Sequence, residues 1–168
     1  SVVDITTGDY YLTEVSSLRL LQDEINKFVP SEIICNDALY VSGLDIDDLK
    51  NRLNITVFNL DNWYFDDEPC KNVLKEHFGV LDLSGLGIID YPCGFVAACA
   101  LLKYLLETQK NSLAHLTTLV PYSTGKYMIL DTSTRRNLEL CETLREKQRR
   151  GSLLWVLDKT KTAMGARM

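Results

Sequence analysis

The sequence has 168 residues, close to half of them hydrophobic, and a formal net charge of −5. That is enough apolar material for one domain with a proper core, or one domain plus an appendage, and it excludes a disordered chain. No apolar stretch approaches the roughly 18 residues of a membrane span, and the longest, Phe95 to Leu106, is interrupted by Lys103. The chain opens on Ser1-Val2-Val3-Asp4, without an initiator Met or a basic leader. It therefore reads as an excised piece with no signal peptide.

The cysteines, Cys35, Cys70, Cys93, Cys99 and Cys141, are odd in number and lack C-x-x-C spacing. They read as reduced thiols of a cytosolic protein. His77 and His115 stand far apart with no ligand cluster beside them, which argues against zinc. Charge is unevenly divided. Residues 1–130 carry 18 acidic and 9 basic side chains, and residues 131–168 carry 5 and 9. An acidic body is a poor nucleic-acid surface. The basic end suits either nucleic acid or a solvated helical face.

Taken in order, Ser1–Thr7 and Tyr10–Val15 read as strands joined at Thr7-Gly8-Asp9, where Gly8 supplies a positive φ. Ser16 or Ser17 caps a helix whose Leu18, Leu21, Ile25 and Phe28 share one face, and Pro30 stops it. Glu32–Cys35 reads as a buried strand. Leu44, Leu49 and Leu53 suggest a short second helix, and Ile55–Leu60 is rich in strand-forming residues. Pro69 suits the first turn of a third helix, with Asp66, Asp67 and Glu68 at its positive end. Cys70, Val73, Leu74 and His77 form its inner face, and Gly79 ends it. After a glycine-punctuated connection over Leu81–Ile89, a helix runs from about Pro92 to Gln109. It is apolar nearly all round, as a helix held between other elements should be. Strands alternating with helices imply an α/β domain over residues 1–116.

Residues 117–130 read as a linker with two short extended pieces. From 131 to 168 the pattern is short and helical. Asp131–Thr134 offers caps, and Leu138, Cys141 and Leu144 make a narrow apolar stripe. Arg145–Arg150 forms a basic loop, Ser152 caps a helix through Leu157, and Thr160 or Thr162 caps a third. Pieces this short do not fold alone and read as the start of a larger helical domain.

Candidate chemistry is sparse. Gly125-Lys126 is followed by Tyr127, not Ser or Thr, so it is a turn and not a phosphate loop. Gly85-Leu-Gly87 has Asp90 where a dinucleotide fingerprint needs its third glycine. Asp4 stands mid-strand, where Asp is disfavoured. With partners among Asp45, Asp47, Asp48, Asp61, Asp66 and Asp67 it would hold Mg²⁺ in a nuclease; otherwise it bonds a turn. Arg145, Lys147, Arg149 and Arg150 either bind phosphate or solubilise a loop, and the interleaved Glu142 and Glu146 favour the loop. Arg135 and Arg136 sit beside a helix start, where the dipole disfavours cations, so an inter-domain carboxylate or a phosphate is the expected partner. Trp155, inside the run Leu153–Leu157, reads as core, or as an interface if left uncovered.

The tract Tyr127-Met-Ile-Leu-Asp-Thr-Ser-Thr-Arg-Arg-Asn-Leu-Glu-Leu140 resembles the segment that enters the core, or lever, domain of the MutS mismatch-repair family. Gly151–Met168 is similar to the stretch that follows it. Asp4-Ile-Thr-Thr-Gly8 resembles the family's connector hairpin, and Leu74–Gly79, Ala100–Leu105 and Thr108–Lys110 match in order. Ala114 departs from the proline that precedes this histidine in the family.

The resemblance implies an RNase H-like connector without nuclease activity, a mixed sheet flanked by helices, followed by a short α-helical segment of the core. It implies a non-catalytic module that couples mismatch recognition to the core and ATPase and helps contact MutL. The helix from Pro69 to Phe78, with its exposed Lys71, Asn72, Lys75 and Glu76, is the expected MutL-facing surface, or else a solvated face. The hairpin lacks a preceding family strand, which leaves a sheet edge open. Neither the Phe-x-Glu mismatch-reading motif nor a Walker A motif occurs. ATP and Mg²⁺ are thus expected in a parent protein and no cofactor in this stretch. Expected partners are other MutS domains, MutL, and mismatched double-stranded DNA through a cytoplasmic, homodimeric parent, with no membrane.

Overall fold

A computed structural model of the chain describes residues 1–109, 113–124, 130–162 and 164–165. The chain divides into two compact units, Ser1–Tyr127 and Met128–Met168.

The first unit opens with a hairpin. Strands β1 (Val2–Asp4) and β2 (Asp9–Leu12) pair antiparallel, with Val3 opposite Tyr10. Both are shorter than the sequence suggests. The Asp4 carboxylate accepts from the Thr6 amide (2.8 Å) and the Thr6 hydroxyl (2.6 Å), which turns the chain early. Gly8 has φ +82, and a Cβ there would lie 2.9 Å from the His115 carbonyl oxygen. Helix α1 (Leu18–Phe28) follows, capped by the Ser17 hydroxyl, and ends at Val29 in the left-handed region just before Pro30. Leu21 and Ile25 pack inward as expected, whereas Leu18 is left exposed at the helix start.

Strands β3 (Glu32–Cys35) and β4 (Thr56–Asn59) run parallel. Two helices lie between them, not one: α2 (Asp37–Val41) and α3 (Ile46–Leu53). They are separated at Gly43, whose φ is +86. The five residues of α2 are too few to show a period, so only α3 was legible. Asp45 caps α3 by accepting from the Asp48 amide at 2.8 Å.

Helix α4 (Asp67–Phe78) buries Cys70 and Leu74 completely and ends at Gly79 with φ +65. The connection after it contains a single 3₁₀ turn, Leu83–Leu86. Helix α5 (Pro92–Thr108) buries Gly94, Phe95, Ala98, Cys99, Ala100, Leu102 and Leu105 against α4, β2 and the loop after it. Its amino terminus is held by a residue distant in sequence. Glu14 accepts from the amides of Cys93 (2.6 Å) and Gly94 (2.7 Å), a negative charge placed at the positive end of the helix. The Tyr10 hydroxyl, fully buried, donates to the Ala98 carbonyl, and burial pushes its pKa far above the ordinary phenol range. Strand β5 (Val120–Pro121) then joins β2 in parallel, at a sheet margin where proline needs no ladder donor.

The strands thus form two small sheets, β1-β2-β5 and β3-β4, each over its own hydrophobic cluster. An apolar cavity of about 290 Å³ is lined by β1 (Val2, Val3), β3 (Ile33, Ile34) and α5 (Ala97, Ala100). Both β1 and β3 are paired on one side only among the described residues. This mixed α/β arrangement fits the expected RNase H-like class.

The second unit starts with α6 (Thr132–Asn137), where Asp131 accepts from the Thr134 amide at 2.7 Å. The apolar stripe expected to continue along this helix is not helical. Glu139 takes φ +49, and its carboxylate accepts from the Leu144 amide at 2.6 Å, so the chain turns away after Asn137. Residues 139 and 140 instead accept from the amides of Leu153 and Leu154, both at 2.9 Å. The expected basic loop over 145–150 has no regular structure. Helix α7 (Leu153–Leu157) is capped as expected by Ser152, whose buried hydroxyl accepts from the Trp155 amide and donates to the Arg149 carbonyl. The extended piece at 125–129 lies outside the described residues, as does most of the helix expected after Thr160 or Thr162. Among the described residues no helix is long and apolar enough to cross a membrane.

Two substitutions test the seating of α5. Glu14→Ala removes both capping bonds and is expected to lower stability by about 1–2 kcal/mol in urea denaturation. Gly94→Ala places a Cβ 2.9 Å from Leu12 Cδ1 and 3.0 Å from Tyr91 Cβ. Leu12 is fully buried and has nowhere to move, so a loss of about 1–3 kcal/mol is expected.

Candidate functional site

The acidic residues do not assemble into a metal centre. Asp4 faces Asp9 across the hairpin, but Thr6 occupies the carboxylate of Asp4 and Thr7 that of Asp9 (2.6 Å). Asp45 caps α3, with Asp47 and Asp48 in its first turn. Asp61 and Asp66 flank the 3₁₀ turn Asn62–Phe65, and Asp67 is bound to Lys71 at 2.9 Å. Among the described residues no group of three or more His, Cys, Asp or Glu is placed to hold a metal ion.

The glycine signals also resolve into local geometry. Gly87 takes φ +68 where the 3₁₀ turn Leu83–Leu86 ends, and Gly85 and Gly87 are both exposed. Gly125 and Lys126 lie outside the described residues. The cysteines described are free thiols; Cys35, Cys70 and Cys99 are buried, and Cys93 and Cys141 are exposed.

What the fold does present is a set of surfaces. On α4 the four residues Lys71, Asn72, Lys75 and Glu76 lie together on the side opposite Cys70 and Leu74, because positions three and four apart share a helix face. Asn72 and Glu76 are exposed. Lys71 is half-covered by its bonds to Asp67 and Glu68, which raise its pKa above the ordinary ammonium value. Lys75 stands 3.9 Å from Asp82.

Arg135 and Arg136 need a correction. The expected helix was longer, which placed them at its positive end. The observed helix stops at Asn137, so both occupy its last turn, where the dipole favours cations. Their position therefore requires no phosphate or carboxylate to explain it. Within the basic loop Arg149 pairs with Asp158 at 2.5 Å. Hydrogen bonds from Thr160 hold the Asp158 carboxyl below its ordinary range, with a smaller contribution from Arg149.

Helix α7 departs from the core expectation. Every residue of Leu153–Leu157 is exposed, Trp155 by 49% and Leu157 by 66%. Five consecutive apolar residues in water form an exposed patch of the kind that marks interaction surfaces in general. Sequence reasoning missed a second exposed group on the first unit, Phe58 and Trp63, because the exposure of an aromatic side chain leaves no local signal in the sequence.

The family model described as MutS domain II matches residues 1–117, and that described as MutS domain III matches residues 133–168. The chain belongs to the MutS family. A protein of Lachnoclostridium phytofermentans named DNA mismatch repair protein MutS is 63% identical over 168 residues, covering 100% of this chain and 18% of the relative. Proteins of the same name from Ruminiclostridium cellulolyticum and Clostridium tetani are 45% and 43% identical, over 99% and 98% of this chain. These cover 19% and 18% of the relatives, so the chain spans about a fifth of the length of the MutS proteins it matches. The boundary between the matched MutS domains falls at 118–132, and the chain's division into two units, after Tyr127, lies within those bounds.

The Asp158 assignment is open to direct titration. By carboxyl NMR its pKa should lie below that of an unstructured Asp, and Thr160→Ala should raise it more than Arg149→Ala does. A depressed carboxyl stabilises the fold above the ordinary carboxylate range, and that contribution is lost as pH falls through the lowered value.

Proposed function

We propose that this chain is a non-catalytic coupling and interaction module of a DNA mismatch-repair MutS protein. It links mismatch recognition to the core and the ATPase and helps contact MutL. The observation that carries this reading is the state of its apolar faces. In the first unit, two one-sided strands border an apolar cavity that an extended segment of the longer polypeptide would fill. In the second, α7 offers Leu153–Leu157 to water. Surfaces of this kind need other domains to cover them, which is what a connecting module requires.

The outer face of α4 is our proposed MutL contact, through Lys71, Asn72, Lys75 and Glu76. It is rigidly held, since Cys70 and Leu74 anchor the helix from behind. Arg135 and Arg136 are proposed to meet another domain of the parent or a DNA phosphate. ATP and Mg²⁺ belong, on this reading, to parts of a cytoplasmic, homodimeric parent outside these residues, and mismatched double-stranded DNA is bound through that parent.

Two measurements test the proposal in the intact parent protein. Lys71→Glu with Lys75→Glu should weaken MutL binding by about tenfold, roughly 1.4 kcal/mol, with mismatch affinity retained; unchanged MutL binding rejects the α4 assignment. In a Trp63→Phe background, Trp155 emission should be shifted to the blue relative to the 168-residue chain. Identical emission in both would show that the parent leaves α7 uncovered, and would remove the coupling role.

A further inference from the structure

The outer side of β4 carries features that the coupling role does not use. Strand β4 pairs only with β3 among the described residues. The amides of Thr56 and Leu60 donate to the Ser31 and Cys35 carbonyls of the β3 side. Backbone groups alternate along a strand, so the N–H and C=O groups of Val57 and Asn59 point to the opposite, open edge. Val57 turns its side chain into the core, which leaves Thr56 and Phe58 on the other face.

Beside that edge lies a shelf of aromatic rings. Phe58, 40% exposed, packs against Tyr104 with ring centroids 6.2 Å apart. One residue earlier on α5, Lys103 stands 5.8 Å from the ring centroid of Trp63. Trp63 is 52% exposed and stacks on Tyr64 at 3.9 Å. The charge around the shelf is mostly negative. Glu32 accepts from Tyr104 at 3.2 Å, and Glu107 accepts from Tyr64. Asp61 is close enough to help raise the Tyr64 pKa. Lys103 is a cation on this shelf, and its ammonium is directed to the Tyr64 carbonyl at 3.2 Å.

We infer that the open edge of β4, with Phe58 and Trp63, is a docking site for an extended, Lys- and Arg-bearing segment of a partner protein, added as a further strand. Edge addition supplies backbone hydrogen bonds through Val57 and Asn59. Alternate side chains of the incoming strand reach the aromatic shelf, where guanidinium and ammonium groups meet ring faces and carboxylates together. Nucleic acid does not fit, because its phosphates would face three carboxylates, Glu32, Asp61 and Glu107. The site is separate from the outer face of α4, so the MutL assignment and this one stand or fall independently.

The test uses the intact protein and a fluorescein-labelled ten-residue peptide alternating Lys or Arg with Val or Ile, followed by anisotropy and amide hydrogen exchange. Binding at low salt is expected, with new protection at the Val57 and Asn59 amides. Asp61→Lys and Trp63→Ala should each weaken it about tenfold. The same peptide N-methylated at alternate residues keeps its charge but loses edge hydrogen bonds, and should bind at least tenfold more weakly without any change to the protein. Equal binding of the N-methylated peptide, no binding at low salt, or Val57 and Asn59 amides already protected before peptide is added would each overturn the inference.

Discussion

The first unit depends on the seating of α5. This helix is apolar nearly all round, so it is stable only where every side is covered. Tyr10 and Leu12 of the hairpin cover one side and Cys70 and Leu74 of α4 another. The loop residues Leu113, Leu116 and Leu119 close part of the remainder. Two polar contacts set its position along the axis: Glu14 at the amino terminus and the Tyr10 hydroxyl on the Ala98 carbonyl. Gly94 permits the approach, since any side chain there would collide with Leu12. Hairpin, cap and helix are therefore one interaction, although residues 4–14 and 92–98 are far apart in sequence.

The second unit obeys the opposite rule. Among the described residues α6 and α7 have six and five residues, below the length at which a helix holds itself together in water. Side-chain caps from Asp131 and Ser152 and the turn at Glu139 do most of the local organising. Little apolar surface is buried in return, and α7 faces outward. The proposed coupling role gives such a segment neighbours from other domains.

These two behaviours together explain why the proposed functional surfaces are faces and not a pocket. Charged side chains that could have formed a catalytic cluster are instead spent locally. Asp4 shapes a turn, Asp45 caps a helix, Asp67 and Glu68 neutralise Lys71. The distinctive surfaces left are the outer side of α4, the apolar α7 and the aromatic edge of β4. Each is positioned by a buried residue directly behind it in the chain: Leu74 for α4, Ser152 for α7 and Val57 for β4.

Local physics made much of this readable from the chain alone. Ser16 or Ser17, the run Asp131–Thr134 and Ser152 announce helix starts, Gly8 and Gly79 announce positive φ, and the apolar periods of α1, α4 and α5 mark their buried sides. The resemblance of the tract from Tyr127 onward was sufficient to name the family, which the matches over 1–117 and 133–168 then showed. Tertiary structure alone decided the rest. A cap delivered by Glu14 across 79 and 80 residues leaves no local trace. The end of α6 at Asn137 follows from a turn at Glu139, not from any helix-breaking residue, and it reversed the electrostatic meaning of Arg135 and Arg136. Whether Trp63 and Trp155 are core or surface depends on which neighbours arrive to cover them. That is a property of the assembled fold and not of the residue type.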